Sequence, residues 1–317
     1  MSWIGRRAGS LGPLAGLLLV YGFFALAGPE SFSSVRNLET IARQTTIVGI
    51  ASLGMTLVIV SGGIDLSVGS IVALSTVVIA ALLQGGVDPL WAALGGVGAG
   101  AVCGLVNGML IGRLRMVPFI VTLGTLLVVR GLAKGMAHEQ KIDAPLTWLI
   151  DLLAMLRPEQ KWMLVPPGVW VMIGVAGLVG GLLRYARLGR QIFALGSNEQ
   201  TARLCGVPVE RVKVVVYTAC AGCAGLAGLM QFSRLTVGDP TVAVGLELDV
   251  IAAVVIGGGS LSGGEGSVLG SLVGALIMTV IRSGCSQMGL PNWVQEMVTG
   301  GIIVLAVGLD RLRQERR

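Results

Sequence analysis

The residues of this chain best equipped for chemistry form the stretch Ser61-Gly62-Gly63-Ile64-Asp65-Leu66-Ser67-Val68-Gly69-Ser70, set between two long apolar runs. A carboxylate and three hydroxyls interleaved with glycine supply hydrogen-bond acceptors, donors and open backbone where an apolar helix would otherwise continue. Groups of that kind are costly against lipid and are retained where they line a cavity or a route for a polar solute. A second stretch of similar make occupies 257–267, where apolar sequence again gives way to glycines, serines and one acidic residue, Glu265, before resuming after Gly266-Ser267. Ser61, Gly62, Gly63, Asp65, Ser67, Ser260 and Ser262 are therefore candidates for the lining of a translocation path, with simple helix-break chemistry as the competing account. Asp65 calls for a partner, and Arg130 and Arg282 are the cations that could serve.

No other set of residues offers catalysis. There is no readable Ser/His/Asp arrangement, and His138, the sole histidine, is isolated in a polar loop. Cys220 and Cys223 form a C-x-x-C inside an apolar run, with no second pair to complete a metal site, so they read as small packing residues. Cys103 and Cys285 also sit in or beside apolar runs, and no disulfide framework follows. Leu261-Ser262-Gly263-Gly264-Glu265 looks like the signature peptide of ABC ATPases, but the chain has no G-x-x-x-x-G-K-[ST] loop to hold a nucleotide. The expectation is a protein that is not an enzyme, holds no metal and binds no cofactor itself.

The elements that must position these residues are set by composition. Apolar residues make up 54% of the 317, charged residues 13%, and mean hydropathy is +0.83, values that place the chain among integral membrane proteins. Forty-nine glycines and only 5% aromatics favour closely packed helices over an aromatic-girdled barrel. The predicted class is all-α, a polytopic bundle of about ten spans, with eight to ten the range: residues 11–27, 45–60, 68–83, 90–112, 118–137, 166–183, 214–230, 248–259, 267–283 and 293–309. The run 248–259 falls short of a full span, so broken or re-entrant helices are expected. No small-residue cleavage site follows the first run, which is read as a retained span rather than a leader.

Basic residues locate the sides. Arg6, Arg7, Arg113, Arg115, the cluster Arg184 to Lys213 and the four arginines of the tail all fall on one side of a ten-span bundle, which predicts both termini in the cytoplasm and an inner-membrane location. This topology and anionic lipid account for the net charge of +6 without any nucleic-acid partner. Both glycine-rich breaks then approach from the outer side and return to it, so the halves, about 11–137 and 166–309 of one domain spanning 1–317, form a parallel internal repeat. Gly96, Gly100, Gly104, Gly108 and Gly112 recur every four residues and predict a smooth helix face for close packing, in a tight bundle or, as the alternative, at a dimer contact. The loop 184–213 is long for a connector and contains a short helix, capped by Asn198 or Ser197 and ended by Gly206, that suits docking outside the membrane.

Taken together, SGGIDLSVGS, the run 118–125 (PFIVTLGT), Arg130-Gly131, the ALGSN and Gly206-Val207 pattern and Gly245-x-Glu247-Leu248-Asp249-x-Ile251-Ala252 through Gly264 closely resemble bacterial ABC-transporter permeases of the ribose type, in order, over roughly residues 40–310. The resemblance implies a membrane-spanning subunit that imports a monosaccharide delivered by a periplasmic binding protein, pairs with a second copy or a paralogue, and rests on cytoplasmic ATPase subunits that use ATP and magnesium. It further implies a coupling helix in which Gly196, Asn198, Ala202 and Gly206 seat in the ATPase cleft. The departure is Thr201-Ala202, where the family often has two alanines; a hydroxyl on an exposed helix leaves the assignment standing. The rival class is an ion-coupled secondary transporter of a small polar solute, which would use Asp65 and the broken helices but has no need of a long docking loop.

Overall fold

The computed structural model describes residues 3–156 and 162–315. Twelve α-helices are found among them: α1 (Trp3–Ala27), α2 (Val35–Val60), α3 (Val68–Gln84), α4 (Pro89–Gly112), α5 (Pro118–Met136), α6 (Pro167–Tyr185), α7 (Arg187–Ser197), α8 (Glu199–Leu204), α9 (Val209–Leu235), α10 (Leu246–Ile256), α11 (Val268–Gln287) and α12 (Asn292–Glu315). Local sequence sets many of their boundaries. The side chains of Ser34, Asp88 and Ser267 accept hydrogen bonds from the free N–H groups that open α2, α4 and α11, and proline occupies the first turn of α4, α5 and α6, where its missing N–H costs nothing.

Each of the ten apolar runs coincides with one helix, to within a residue or two at many of the ends, although α1, α2, α9 and α12 extend well beyond theirs. Six of the helices, α2, α4, α5, α6, α9 and α11, are long and apolar enough to cross a membrane, and α3 and part of α1 form shorter apolar segments. At 11 residues α10 extends only about 16 Å, half the thickness of a hydrocarbon core. Among the described residues, the one addition to the all-α expectation is a two-residue antiparallel ladder in which β1 (Ile142–Asp143) pairs with β2 (Val237–Gly238), tying the loop after α5 to the segment after α9.

The centre of the bundle is α2, whose residues from Thr45 to Val60 are all buried, with α6, α9, α10 and α11 around it. Outward faces carry Leu18, Leu26, Leu127, Val128 and Leu178, all exposed, the inverse of a water-soluble surface and a match to lipid. The glycine stripe is consumed inside the chain. A methyl group on Gly100, Gly108 or Gly112 would lie 2.7 Å from Ala221 O, 2.7 Å from Val214 Cα or 2.8 Å from Glu210 O, all on α9, and one on Gly104 would overlap Tyr217 O. Gly225 of α9 answers from the other side, where a methyl would lie 2.9 Å from Val97 Cα. Gly96 sits against Ile79 and Ser75 of α3. With α9 and α3 covering it, the stripe offers no face to a second chain. The C-x-x-C of α9 is part of the same close packing, since a methyl on Gly54 of α2 would lie 2.8 Å from Cys220 O and 2.9 Å from Cys223 Cβ.

Chain direction gives the bundle two distinct ends. The C-termini of α2 and α10, the N-termini of α9 and α11 and the pair α7–α8 lie together at what we term the loop end. The N-terminus of α2, the C-termini of α9 and α11 and the first turn of α12 lie at the other end.

Candidate translocation site and coupling loop

Both glycine-rich breaks end their helices in the same way. After α2, Gly62 turns to a φ of 82° and donates to Ile59 O, while Gly63 donates to Val58 O. After α10, Gly258 turns to 91° and donates to Val255 O, while Gly259 donates to Val254 O. These are paired Schellman terminations, which require a left-handed residue that only glycine adopts freely. The chains resume at equivalent points, Ser67-Val68 for α3 and Ser267-Val268 for α11. In that register the second break is four residues longer than the first, and Ser267 corresponds to Ser67.

The two breaks meet, and the loop end of α7 closes on them. Gly264 N donates to Val60 O at 2.9 Å. A methyl on Gly263 would lie 2.6 Å from Gly196 O and 2.9 Å from Gly62 Cα, and one on Gly196 would overlap Val60 O. Three segments remote in sequence thus touch through bare backbone. Ser61 Oγ is turned inward to Val58 O at 2.7 Å, and Ser260 N donates to Glu265 O at 3.1 Å.

Asp65 is completely enclosed, at 0% exposure. One of its oxygens accepts from Ser67 N at 2.9 Å and Ser67 Oγ at 2.5 Å; Asn107 Nδ2 donates to Ser67 Oγ at 3.1 Å, and Thr125 Oγ1 donates to Asn107 Oδ1 at 2.6 Å. Neither expected cation reaches it. Arg130 donates to Pro240 O and Val242 O, and Arg282 pairs with Asp249. The correction has a physical basis: the N–H and hydroxyl of Ser67 close a local turn on the carboxylate, while the arginines are taken by irregular backbone and by a carboxylate nearer to them.

The loop 184–213 folds as two helices, α7 and α8, separated by Asn198, whose Oδ1 accepts from Thr201 N at 2.8 Å and caps α8. Gly206 ends the element with a φ of 81° and is exposed. Two of the four expected contact residues face the other way. Gly196 is pressed against the breaks, and Ala202 is 4% exposed beneath α8. Leu204, at 89% exposure, is the outward apolar side chain of this element, and sequence reasoning passed over it because a lone leucine in a polar loop carries no pattern. The outer face is braced by ion pairs: Glu199 with Lys213 at 2.8 Å and Arg203 at 3.4 Å, and Arg203 with Glu210 at 2.5 Å. Burial pushes the Glu199 carboxyl up, but the hydrogen bonds and charges of Lys213 and Arg203 outweigh it and hold Glu199 below its ordinary value.

At the other end a cavity of about 400 Å³ opens between α2, α9, α10 and α11, within the range of small-molecule sites. Its wall includes Asn37, Thr40 and Gln44 of α2, Gln231 and Arg234 of α9, Asp249 of α10, and Thr279 and Arg282 of α11. None of the candidates Ser61, Gly62, Gly63, Asp65, Ser67, Ser260 or Ser262 is among its lining residues. The segment 236–245 bends back along α3, with Thr76 Oγ1 bonded to Asp239 N at 3.2 Å, and Arg130 satisfies its Pro240 and Val242 carbonyls at 2.9 and 2.7 Å. That support allows irregular backbone within an apolar bundle and sets the N-terminus of α10 beside the cavity. The wall is assembled chiefly from four helices, α2, α9, α10 and α11, which is why the sequence alone did not gather it; the legible signal was uncharged amides, such as Gln231, interrupting apolar helices.

A bundle of apolar helices with an open polar cavity at one end and a backbone junction at the other defines a multi-pass membrane transport protein. The chain belongs to the family described as branched-chain amino acid transport system / permease component, whose model matches residues 37–307. It is 38% identical over 302 residues to the ribose import permease protein of Escherichia coli strain K12, covering 95% of this chain and 93% of that protein. It is 39% identical to the ribose import permease protein of Bacillus subtilis strain 168, covering 95% and 92%. Similarity to the L-arabinose ABC transporter permease protein of Azospirillum brasilense is 37% over 300 residues, covering 95% of this chain and 87% of that protein. No solved structure matches the chain.

Proposed function

We propose that this chain is the membrane-spanning permease subunit of an ATP-binding-cassette importer for a monosaccharide. Full-length likeness to ribose and L-arabinose permeases supports the cargo class, and the contact of Gly196 with both glycine breaks is the observation that carries the mechanism. A loop outside the apolar bundle rests directly on the two points where the helices are interrupted. Force applied to α7–α8 therefore reaches Val60, Gly62 and Gly264 with no flexible side chain between. In this reading ATP and magnesium are used by a partner ATPase that grips the surface around Asn198, Leu204 and Gly206, and a periplasmic sugar-binding protein docks at the cavity end, which faces outward.

Ten spans, cytoplasmic termini and a parallel repeat of two halves in one domain of 1–317 complete the proposal, and the paired Schellman terminations support the repeat. Ser61, Gly62, Gly63, Asp65, Ser67, Ser260 and Ser262 form the closed section of the path, exposed to substrate when the junction separates. A ligand shifts such an equilibrium only by binding the two arrangements differently, so the open cavity and the closed junction describe one of them. A second permease, identical or paralogous, completes the channel.

The test is uptake of radiolabelled D-ribose, L-arabinose and L-leucine by cells expressing the chain with its ATPase and binding protein, with and without a protonophore at constant ATP. Sugar uptake that tracks ATP and survives the protonophore supports the reading. Uptake abolished by the protonophore favours an ion-coupled transporter, and uptake of leucine alone overturns the cargo class.

A further inference from the structure

We infer that the cavity contains a sugar-binding station whose reading element is the ion pair Asp249–Arg282; the inference rests on the importer reading above and names the chemistry of its cargo contact. Asp249 is 1% exposed, and its Oδ2 accepts from Arg282 Nη2 at 2.5 Å. Its other oxygen, Oδ1, is buried and has no hydrogen-bond partner, although Asp249 forms part of the cavity wall. Leaving a buried acceptor unpaired costs roughly 1–3 kcal/mol, so such an atom beside a cavity marks a place where a ligand donor would be welcome.

Arg282 is half exposed on the same wall. A guanidinium carries five N–H donors, so those not engaged with Asp249 remain to serve a ligand. An acceptor and a donor set side by side match a pair of neighbouring hydroxyls, each of which can donate to the carboxylate or accept from the guanidinium. The two charges neutralise each other within one contact, and the pair therefore addresses a neutral polyhydroxyl compound. A zwitterionic amino acid would instead require its ammonium and carboxylate to meet opposite charges held apart. Gln44, Gln231, Thr40 and Thr279 extend the same neutral hydrogen-bonding character around the wall, and Arg234 is the further charged group there. Asp249 lies in the first turn of α10, about 12 Å along the helix from Gly257 where the break begins, so a sugar held there waits above the closed section of the path.

The test is a protection experiment on the full chain in lipid nanodiscs. In a Cys205→Ser background, Gln44→Cys places a thiol in the cavity wall, and its alkylation by a water-soluble maleimide is timed with D-ribose, L-arabinose or L-leucine present. At least one of the two sugars is expected to slow alkylation several-fold while leucine does not. Asp249→Asn should raise the sugar concentration needed for half-protection by about tenfold, the effect of one charge-assisted hydrogen bond of roughly 1.4 kcal/mol. Where Asp249→Asn fails to fold, Arg282→Lys, which keeps the charge but loses the planar fork, should weaken protection in the same direction. Protection by neither sugar, or equal protection in wild type and variants, overturns the station. If those same sugars are still imported in cells, the importer reading stands and only the station falls; protection and import of leucine alone overturn both.

Discussion

The two ends of the bundle are built from opposite materials. At the loop end, Gly62, Gly196, Gly263 and Gly264 bring three backbones into contact with hardly any side chain between them, whereas the cavity end is walled by long polar side chains around open space. Contacts made through bare backbone are stiff and close-fitting, and they separate or engage as units because nothing can rearrange to bridge a gap. Long polar side chains do the reverse, adapting to a solute. One end is suited to be a gate and the other a vestibule.

The comparison breaks most decisively at Gly196. Because any Cβ there overlaps Val60 O, Gly196→Val should force α7 away from the breaks, at a cost of about 1–3 kcal/mol if the chain folds, and reduce uptake to background. Uptake together with a folding assay in membranes measures it, and near-normal uptake in a folded variant would show that the junction is not the gate. Next in size is Asp65→Asn. The amide keeps one acceptor for Ser67 but adds donors in a closed site, and stability should fall by about 1–3 kcal/mol, with slower uptake. Unchanged thermal unfolding and unchanged flux would remove Asp65 from both structure and path.

What the sequence made legible follows the same divide. Helix positions were readable because each run is predominantly apolar and many of the run ends fall at Ser, Asp, Pro or Gly, and the two breaks were readable because Asp65 and the glycines interrupt such runs. The cavity was not, since Gln44, Gln231, Asp249 and Arg282 come from four helices, and only packing brings them to one wall. Asp65 was legible as unusual but misassigned in its partner: composition showed a carboxylate needing donors, and the donors proved to be Ser67 itself, two residues away, rather than a distant arginine. The side on which Ala202 falls was equally hidden, because a six-residue helix is too short for its periodicity to declare a buried face.

Outside the membrane the expected effects are smaller and sharpen the comparison from the partner's side. Leu204→Asp places a charge on the most exposed apolar side chain of α8, which contributes almost no buried surface, so folding should be unaffected while co-purification with the ATPase and ATP-driven uptake fall about tenfold, the scale of a single apolar anchor at an interface. A variant that retains full uptake would move the docking surface away from α8.

The least effect is expected from pH acting on Glu199. Its carboxyl is held below the ordinary value of 4.5, so the native state favours its charged form; the stabilisation is complete above that value and is lost as pH falls through the lower, folded-state value. Because Arg203 and Glu199 are both substantially exposed, the gain is worth no more than about 0.2–1 kcal/mol. Hydrogen exchange of the α8 amides, corrected for the intrinsic pH dependence of exchange, should show protection declining below pH 4.5, and Glu199→Gln should lessen that decline, with Glu210 still titrating against Arg203, while leaving the amides of α2 unchanged. If α8 instead keeps its protection through acid, the ion pairs with Lys213 and Arg203 do not hold the docking helix, and its position is set by the burial of Ala202 and the backbone contact of Gly196 alone.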